Sequence, residues 1–135
     1  MSLVLPKLSV YLAEDSALVL RRLVALLESP GLARVVGVSD DATVAFDEIL
    51  RLRPDVVVAD LHLRVGNGLE LIGRLNSTRC TATKIMLTNH AASTARRAAR
   101  IAGADFFFDK TTEFSQAVSE IGKLAGKRSA YARSH

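Results

Sequence analysis

Apolar positions along the chain follow two alternating patterns. Short runs rich in valine, leucine and phenylalanine are typical of strands buried on both faces of a sheet. Between these runs, apolar residues recur every three or four positions, which is typical of amphipathic helices. The pattern predicts strands at 8–13, 34–38, 55–60, 84–89 and 105–109, helices at 16–28 and 92–102, and further helices that begin near residues 41, 69 and 114.

Regular alternation of strands and helices requires parallel pairing with right-handed crossovers, so that helices cover both faces of the sheet. We therefore predict an α/β fold with a doubly wound, five-stranded parallel sheet. The alternation does not determine the strand order, but the flavodoxin-like order 2-1-3-4-5 is the commonest arrangement for five such units. The 135 residues suffice for one domain with a substantial core.

The third predicted strand has the most informative surroundings. Val56, Val57, Val58 and Ala59 form an unbroken apolar run, and Asp60 follows where the strand ends. Ligands of open α/β sheets bind at the carboxyl ends of strands. A carboxylate there can be a nucleophile, a metal ligand or a helix cap, and this stretch alone does not distinguish these roles.

Composition narrows the class of protein. Hydrophobic residues make up 49% of the chain and charged residues 24%, and the net charge is +4. Lys127, Arg128 and Arg133 concentrate positive charge near the end of the chain, but three charges are too few to indicate nucleic-acid binding. Cys80 is the only cysteine, and no apolar run approaches the length of a membrane span. We expect a cytoplasmic protein that binds neither membranes nor nucleic acid directly.

Polar residues follow the other predicted strands. Glu14 and Asp15 come after the first strand, Thr88 ends the fourth and Lys110 follows the fifth. If the first and third strands are neighbours, Asp15 and Asp60 converge, and a cation or a proton must compensate their repulsion. An all-oxygen site of this size suits Mg²⁺. Together with a lysine and a hydroxyl, these groups predict a phosphoryl-transfer site.

These residues resemble the motifs of the receiver domain of bacterial two-component response regulators, the CheY-like family. The resemblance covers roughly residues 7–125, and we expect residues 126–135 to form a loose basic tail. Each motif is weak alone, but all of them follow in the family's order. The matching motifs are Glu14-Asp15, Val56–Asp60 with Leu61-His62-Leu63 and Gly66-Asn67-Gly68, Thr88 after Lys84–Leu87, and Ala104–Lys110.

The resemblance implies a set of roles around the acceptor. Asp60 would accept the phosphoryl group from a sensor histidine kinase or a phosphotransfer protein. Asp15, Asp60 and the backbone carbonyl of His62 would hold Mg²⁺, with Glu14 acting through water. Lys110 would pair with the phosphoryl oxygens.

The resemblance also implies a conformational switch. Thr88 would bond to the phosphoryl group and move inward, and Phe107 matches the aromatic switch position. The surface of the fourth helix, fifth strand and fifth helix would respond, and it would also be the surface for a homodimer. Arg96, Arg97 and Arg100 share a face of the fourth helix, for which a solvated face is the default interpretation and a partner-binding patch the alternative.

Two positions depart from the family's pattern. Thr111 stands where the family usually has proline, and Asn89 stands where it usually has a small residue.

His62 and His90 occupy positions that flank the phosphoryl group in the resembling family. We expect them to shield the phosphoryl group and slow its hydrolysis, whereas the alternative is two exposed loop histidines without effect.

Two other interpretations come from different classes of protein. A nucleotide- or flavin-binding protein would carry Gly-x-Gly-x-x-Gly or a loop ending in Gly-Lys-Ser/Thr after its first strand, and neither motif is present there. The second alternative, a receiver-like docking module that is no longer phosphorylated, is not excluded by the sequence.

The favoured interpretation is a phosphoacceptor signalling domain. Such a domain is not an enzyme, although it can catalyse its own phosphorylation from small donors and its own dephosphorylation. No effector domain fits in the remaining residues, so the chain acts alone or is a fragment of a longer regulator.

Overall fold

The computed structural model describes residues 7–89 and 92–134, with side chains to residue 128. Strands and helices alternate throughout these residues, as predicted. No helix among them is both long enough and apolar enough to cross a bilayer. The elements are β1 (Leu8–Ala13), α1 (Ala17–Glu28), β2 (Ala33–Ser39), α2 (Ala42–Leu52), β3 (Val56–Ala59), α3 (Gly68–Ser77), β4 (Thr83–Thr88), α4 (Ser93–Ala102), β5 (Phe106–Asp109) and α5 (Phe114–Ser134).

The five strands form one parallel sheet in the order β2-β1-β3-β4-β5. The flavodoxin-like α/β fold and the strand order predicted above are therefore confirmed. β1 lies beside β3, with Ala13 opposite Ala59, so the residues that follow these two strands emerge side by side. This adjacency positions the candidate site.

The sheet separates two hydrophobic clusters. One cluster lies under α1 and α5 and includes Val56 and Val58, and the other lies under α2, α3 and α4 and includes Val57 and Ala59. Successive residues of a strand point to opposite faces, so a strand covered on both sides needs apolar residues at every position. This explains the unbroken apolar run before Asp60.

Three helices begin at polar side chains that accept backbone hydrogen bonds. Ser16 Oγ accepts from the N–H of Val19 at 3.2 Å, and Asn67 Oδ1 accepts from the N–H of Glu70 at 2.8 Å. Asp41 caps α2 in the same way. Each cap satisfies an N–H group that the first helical turn leaves without a partner. The cap at Asn67 also fixes the end of the loop that follows Asp60.

The last helix differs from the sequence prediction. α5 was expected to end near Ala125, with a loose tail from Gly126, but it continues to Ser134. The added segment has no proline and contains good helix formers, so little opposes its extension. It is also tied to the sheet, because Arg128 Nη1 lies 2.6 Å from Asp55 Oδ2. The same carboxylate oxygen accepts hydrogen bonds from the backbone N–H and the hydroxyl of Ser9.

We expect Arg128→Ala to destabilise the chain modestly and in a pH-dependent way. Burial alone would raise the pKa of Asp55, but the Ser9 N–H and the Arg128 guanidinium outweigh it and lower that pKa. A lowered carboxyl pKa stabilises the fold above the unfolded-state pKa, and this contribution is lost as pH falls through the folded-state pKa. Because both side chains are partly exposed, we expect the free energy of unfolding to fall by about 0.5–1 kcal/mol at pH 7.

Urea denaturation at pH 7 and at pH 3 measures this effect. The loss should shrink at the lower pH, where Asp55 takes up a proton. Lys127→Ala is the matched control, because Lys127 is the exposed neighbour of Arg128. An equal loss in both variants would show that the ion pair does not anchor α5.

Candidate functional site

Three carboxylates meet at the carboxyl end of the sheet. Glu14 and Asp15 follow β1, Asp60 follows β3, and one ligand atom from each lies within 4.8 Å of the others. Glu14 and Asp60 are buried and Asp15 is exposed. The convergence predicted from the sequence is therefore present, with the buried pair at the bottom of the cleft and Asp15 at its mouth.

Lys110 bridges the two buried carboxylates. Its Nζ lies 2.7 Å from Glu14 Oε1 and 2.6 Å from Asp60 Oδ2, and its side chain is only 8% exposed. Burial alone would lower the pKa of Lys110, but the bonds to Asp60 and Glu14 outweigh it and raise that pKa. The ammonium is therefore firmly charged and held beside Asp60.

The buried position of Glu14 makes its ionisation costly. Burial raises the pKa of Glu14 to about 7; the hydrogen bond from Lys110 opposes this shift and the charge of Asp60 adds to it. A raised carboxyl pKa indicates that the cleft disfavours further negative charge. Carboxylate oxygens are hard donors of the kind that divalent cations such as Mg²⁺ prefer. The acidic cluster therefore fits a divalent cation chemically.

The loop after Asp60 is held in a compact shape. The N–H of His62 lies 3.4 Å from Asp60 Oδ1, and the N–H of Gly68 donates to the carbonyl of Leu61 at 2.9 Å. A Cβ atom at Gly68 would collide with the backbone carbonyl oxygen of Asp60. Sequence reasoning identified Gly68 only as a turn residue. The sequence signal was Gly66-Asn67-Gly68, but its steric role required the structure.

A second contact that sequence reasoning missed fixes the outer side of this loop. Arg64 Nε lies 2.9 Å from Asp40 Oδ2 and its Nη2 lies 3.3 Å from Asp40 Oδ1. The N–H of Val65 donates to the Asp40 carbonyl, and the N–H of Ala42 donates to the Val65 carbonyl. The loop after the acceptor is thus joined to the start of α2.

The fourth and fifth strands end beside the cleft. Thr88 is fully buried, and its carbonyl accepts from the N–H of Lys110 at 3.0 Å. Phe107 packs with the cluster under α2, α3 and α4, whereas Phe106 and Phe108 stack together on the opposite face of the sheet. The three phenylalanines therefore alternate between the two faces of the sheet, as successive residues of a strand do.

Arg96 connects α4 to β5 and to the start of α5. Its guanidinium carbon lies 4.7 Å from the centre of the Phe107 ring, and its Nη1 lies 3.3 Å from the Phe107 carbonyl oxygen. Its Nη2 pairs with Glu113 Oε1 at 2.8 Å, and that oxygen also accepts from the N–H of Asp109. The default interpretation of a solvated face fits the exposed Arg97 and Arg100 but not Arg96.

The remaining sequence candidates lie at the rim. The side chains of His62 and Asn89 are exposed, and His90 lies outside the described residues. A role for His62 and His90 in the lifetime of a phosphoryl group stays a prediction. Thr111, which replaces the family's usual proline, donates its N–H to Asp109 Oδ1 at 2.7 Å. Proline has no N–H to make this bond.

Comparisons with known proteins agree with this geometry. The sequence profile of the response regulator receiver domain matches residues 10–121. The chain is 33% identical over 120 residues to the DNA-binding transcriptional activator DevR/DosR of Mycobacterium tuberculosis, covering 84% of this chain and 54% of the relative. It is 26% identical over 121 residues to a protein-glutamate methylesterase/protein-glutamine glutaminase of Colwellia psychrerythraea, covering 88% of this chain and 32% of the relative. This chain thus spans about half or less of these curated relatives.

A solved structure shows the same likeness in three dimensions. The receiver domain of the putative response regulator NarL from Mycobacterium tuberculosis superimposes with a TM-score of 0.78 at 26% identity. The alignment covers 87% of this chain and 98% of that domain. The similarity therefore extends over a whole receiver domain.

Proposed function

The chain belongs to the response regulator receiver domain family of two-component signalling, and we propose that Asp60 is its phosphoryl acceptor. The observation that carries the proposal is the bridge from Lys110 Nζ to Asp60 Oδ2 at 2.6 Å inside a cluster of three carboxylates. A nucleophilic carboxylate, a fixed cation and metal-ligating oxygens are the groups that phosphoryl transfer needs. We further propose that the receiver domain spans residues 7–125, with α5 continuing past this boundary.

In the proposed reaction, a carboxylate oxygen of Asp60 attacks the phosphorus of a phosphohistidine on a sensor kinase or a phosphotransfer protein. A P–O bond forms while the P–N bond breaks, and its electron pair leaves with the imidazole. The ammonium of Lys110 is close enough to pair with the oxygens of the arriving group, and Glu14 keeps it there. Thr88, whose carbonyl accepts from the N–H of Lys110, would offer its hydroxyl to the same oxygens.

The proposed metal ligands are Asp15, Asp60, the backbone carbonyl of His62 and, through water, Glu14. Bound there, Mg²⁺ would compensate the negative charge of the carboxylates and of the transferring group. Burial, and to a lesser degree the charge of Asp60, raise the pKa of Glu14, and a cation bound in the cleft would offset both effects by stabilising the ionised carboxylates.

Phosphorylation of the unmodified chain should require a divalent cation. Incubation with acetyl phosphate and Mg²⁺ should add one phosphoryl group to the intact mass, whereas the same incubation with EDTA should add none. Calcium at equal concentration is a useful comparison, because the larger ion tolerates a looser ligand geometry than Mg²⁺. Equal labelling with and without metal would contradict the assigned ligands. Absence of labelling in every condition would favour a receiver-like docking module instead.

We further propose that phosphorylation alters the face formed by α4, β5 and α5, which is also the surface we propose for homodimers. The longer relatives are a DNA-binding activator and a methylesterase, and the matched region covers only part of each protein. We propose that this chain regulates its partner through the face formed by α4, β5 and α5. Phe107 and Arg96 support the proposal, because the ring lies under a guanidinium that also bonds to Glu113, the residue before α5.

Beryllofluoride with Mg²⁺ should change amide hydrogen exchange in residues 93–110. Inward movement of Thr88 would draw Phe107 with it and break the contact of its ring with Arg96. The measurement compares exchange with and without the phosphoryl mimic, and Asp60→Asn is the control that should remove the difference. Changes restricted to 61–67 would mean that the signal does not reach the α4 face.

A further inference from the structure

A separate cavity lies at the opposite end of the sheet from Asp60. It has a volume of about 350 Å³ and sits where α2 and α3 end and where β3 and β4 begin. Apolar and polar residues of the α2–β3 and α3–β4 connections, together with the end of α2, line the cavity. The lining residues are Ile49, Leu50, Arg53, Pro54, Thr78, Arg79, Cys80, Thr81 and Ala82.

Two of the lining residues have an unusual backbone conformation. Among the described residues, the non-glycine residues with positive φ are Arg53, at 50°, and Arg79, at 60°. The left-handed region disfavours residues with a Cβ, and glycine or asparagine is the usual choice. Arg51 and Arg74 already occupy the last turns of α2 and α3, so Arg53 and Arg79 add a second cation at each of these helix ends.

A third cation is bonded to the backbone of two lining residues. Lys84 is only 5% exposed, and its Nζ donates to the carbonyls of Cys80 and Ala82 at 3.0 and 3.1 Å. The ion pairs found within residues 7–89 and 92–128 include none for Lys84. Buried charges are normally paired, and none of the lining residues is acidic. Two arginines therefore line a cavity that offers them no carboxylate, and the buried lysine next to it is bonded to the carbonyls of two other lining residues.

We propose that this cavity binds a small organic oxyanion, whose carboxylate, phosphate or phosphonate group lies between Arg53 and Arg79. Guanidinium groups recognise such oxyanions through paired N–H donors. The apolar body of the ligand would lie against Ile49, Leu50 and Pro54, and the volume is within the range of small-molecule sites. The site is separate from the acceptor cleft, since it lies at the other end of the strands.

Titration with phenylphosphonate, followed by backbone amide NMR without Mg²⁺, tests the proposal. This probe carries an oxyanion and an apolar ring, and its carbon–phosphorus bond prevents phosphoryl transfer to Asp60. We expect saturable shifts in residues 49–54 and 78–82. Benzylamine, which has a similar ring but a positive charge, should not produce them.

The combined variant Arg53→Gly with Arg79→Gly should weaken phenylphosphonate binding by at least about tenfold, because it removes both charged hydrogen-bond donors. Glycine accepts the left-handed conformation, so the backbone should be retained. If thermal unfolding shows that the combined variant does not fold, the single changes Arg53→Asn and Arg79→Asn should each weaken binding. Arg21→Ala, an exposed arginine on α1 outside the cavity, should leave the affinity unchanged.

Other outcomes would overturn the proposal. Shifts confined to residues around Asp60 would assign the probe to the acceptor cleft. Equal phenylphosphonate affinity in the wild-type chain and the arginine variants would contradict the oxyanion site. Binding of benzylamine as tight as that of phenylphosphonate would contradict it as well. Tighter binding of hexaglutamate than of phenylphosphonate at the same residues would replace the small ligand with an acidic protein partner.

Discussion

Replacing Asp60 with asparagine should abolish phosphorylation by acetyl phosphate. Asparagine has nearly the same shape as aspartate, but its amide oxygen is neutral and cannot serve as the attacking nucleophile. Lys110 keeps its bond to Glu14 in the variant, so we expect the fold and the position of the lysine to persist. Intact mass after incubation with acetyl phosphate and Mg²⁺ should therefore stay at the unmodified value.

Asp47→Asn is the matched control for this experiment. It makes the same change of charge at an exposed position of α2, away from the acidic cluster, and should leave phosphorylation unchanged. Circular dichroism of both variants separates a chemical loss from unfolding. Full labelling of the Asp60 variant would falsify the acceptor assignment, since the phosphoryl group would then be elsewhere.

Replacing Gly68 with alanine should cause a severe loss of stability. The added Cβ would overlap the carbonyl oxygen of Asp60, which is backbone and cannot rotate away. The loop from Asp60 to Gly68 would have to open, which would also strain the hydrogen bond from the N–H of Gly68 to Leu61. Overpacking of this kind costs about 1–3 kcal/mol or more. Urea denaturation would measure it, and phosphorylation should fall as well because the acceptor moves.

Gly73→Ala separates this steric effect from the general effect of removing a glycine. Gly73 lies in the same helix, and a Cβ atom there would meet nothing within 4 Å. Alanine in a helix interior is favoured over glycine by about 0.5–1 kcal/mol, so this variant should be more stable than the wild type. Equal destabilisation by both substitutions would indicate that helix propensity, and not the contact with Asp60, controls the result.

The fold was predictable because its determinants are local. Apolar runs and helical spacing located every described strand and helix, and the predicted starts near residues 16 and 41 coincide with the caps Ser16 and Asp41. The strand order came from the frequency of one arrangement among folds of five units, and the structure confirms it. The end of α5 was not predictable from the weak pattern beyond Ala125, because Asp55, the partner of Arg128, is distant in the sequence.

The candidate site was also predictable only in part. Polar residues at strand ends can be found in the sequence, so Glu14, Asp15, Asp60 and Lys110 were identified together. Contacts between loops cannot be found in this way, because nothing in the sequence indicates that Arg64 faces Asp40. The contacts of Arg96 depend on the distance between α4 and α5 and required coordinates.

The two hydrophobic clusters on opposite faces of the sheet can accept amino-acid substitutions separately during evolution. Substitutions that do not share partners usually have additive effects on stability. Side chains under α1 and α5 pack on one face of the sheet, and those under α2, α3 and α4 pack on the other. Natural variation can therefore repack one side without compensating changes on the other. Side chains under α1 can therefore change while the contact of Phe107 with Arg96 on the α4 side is kept.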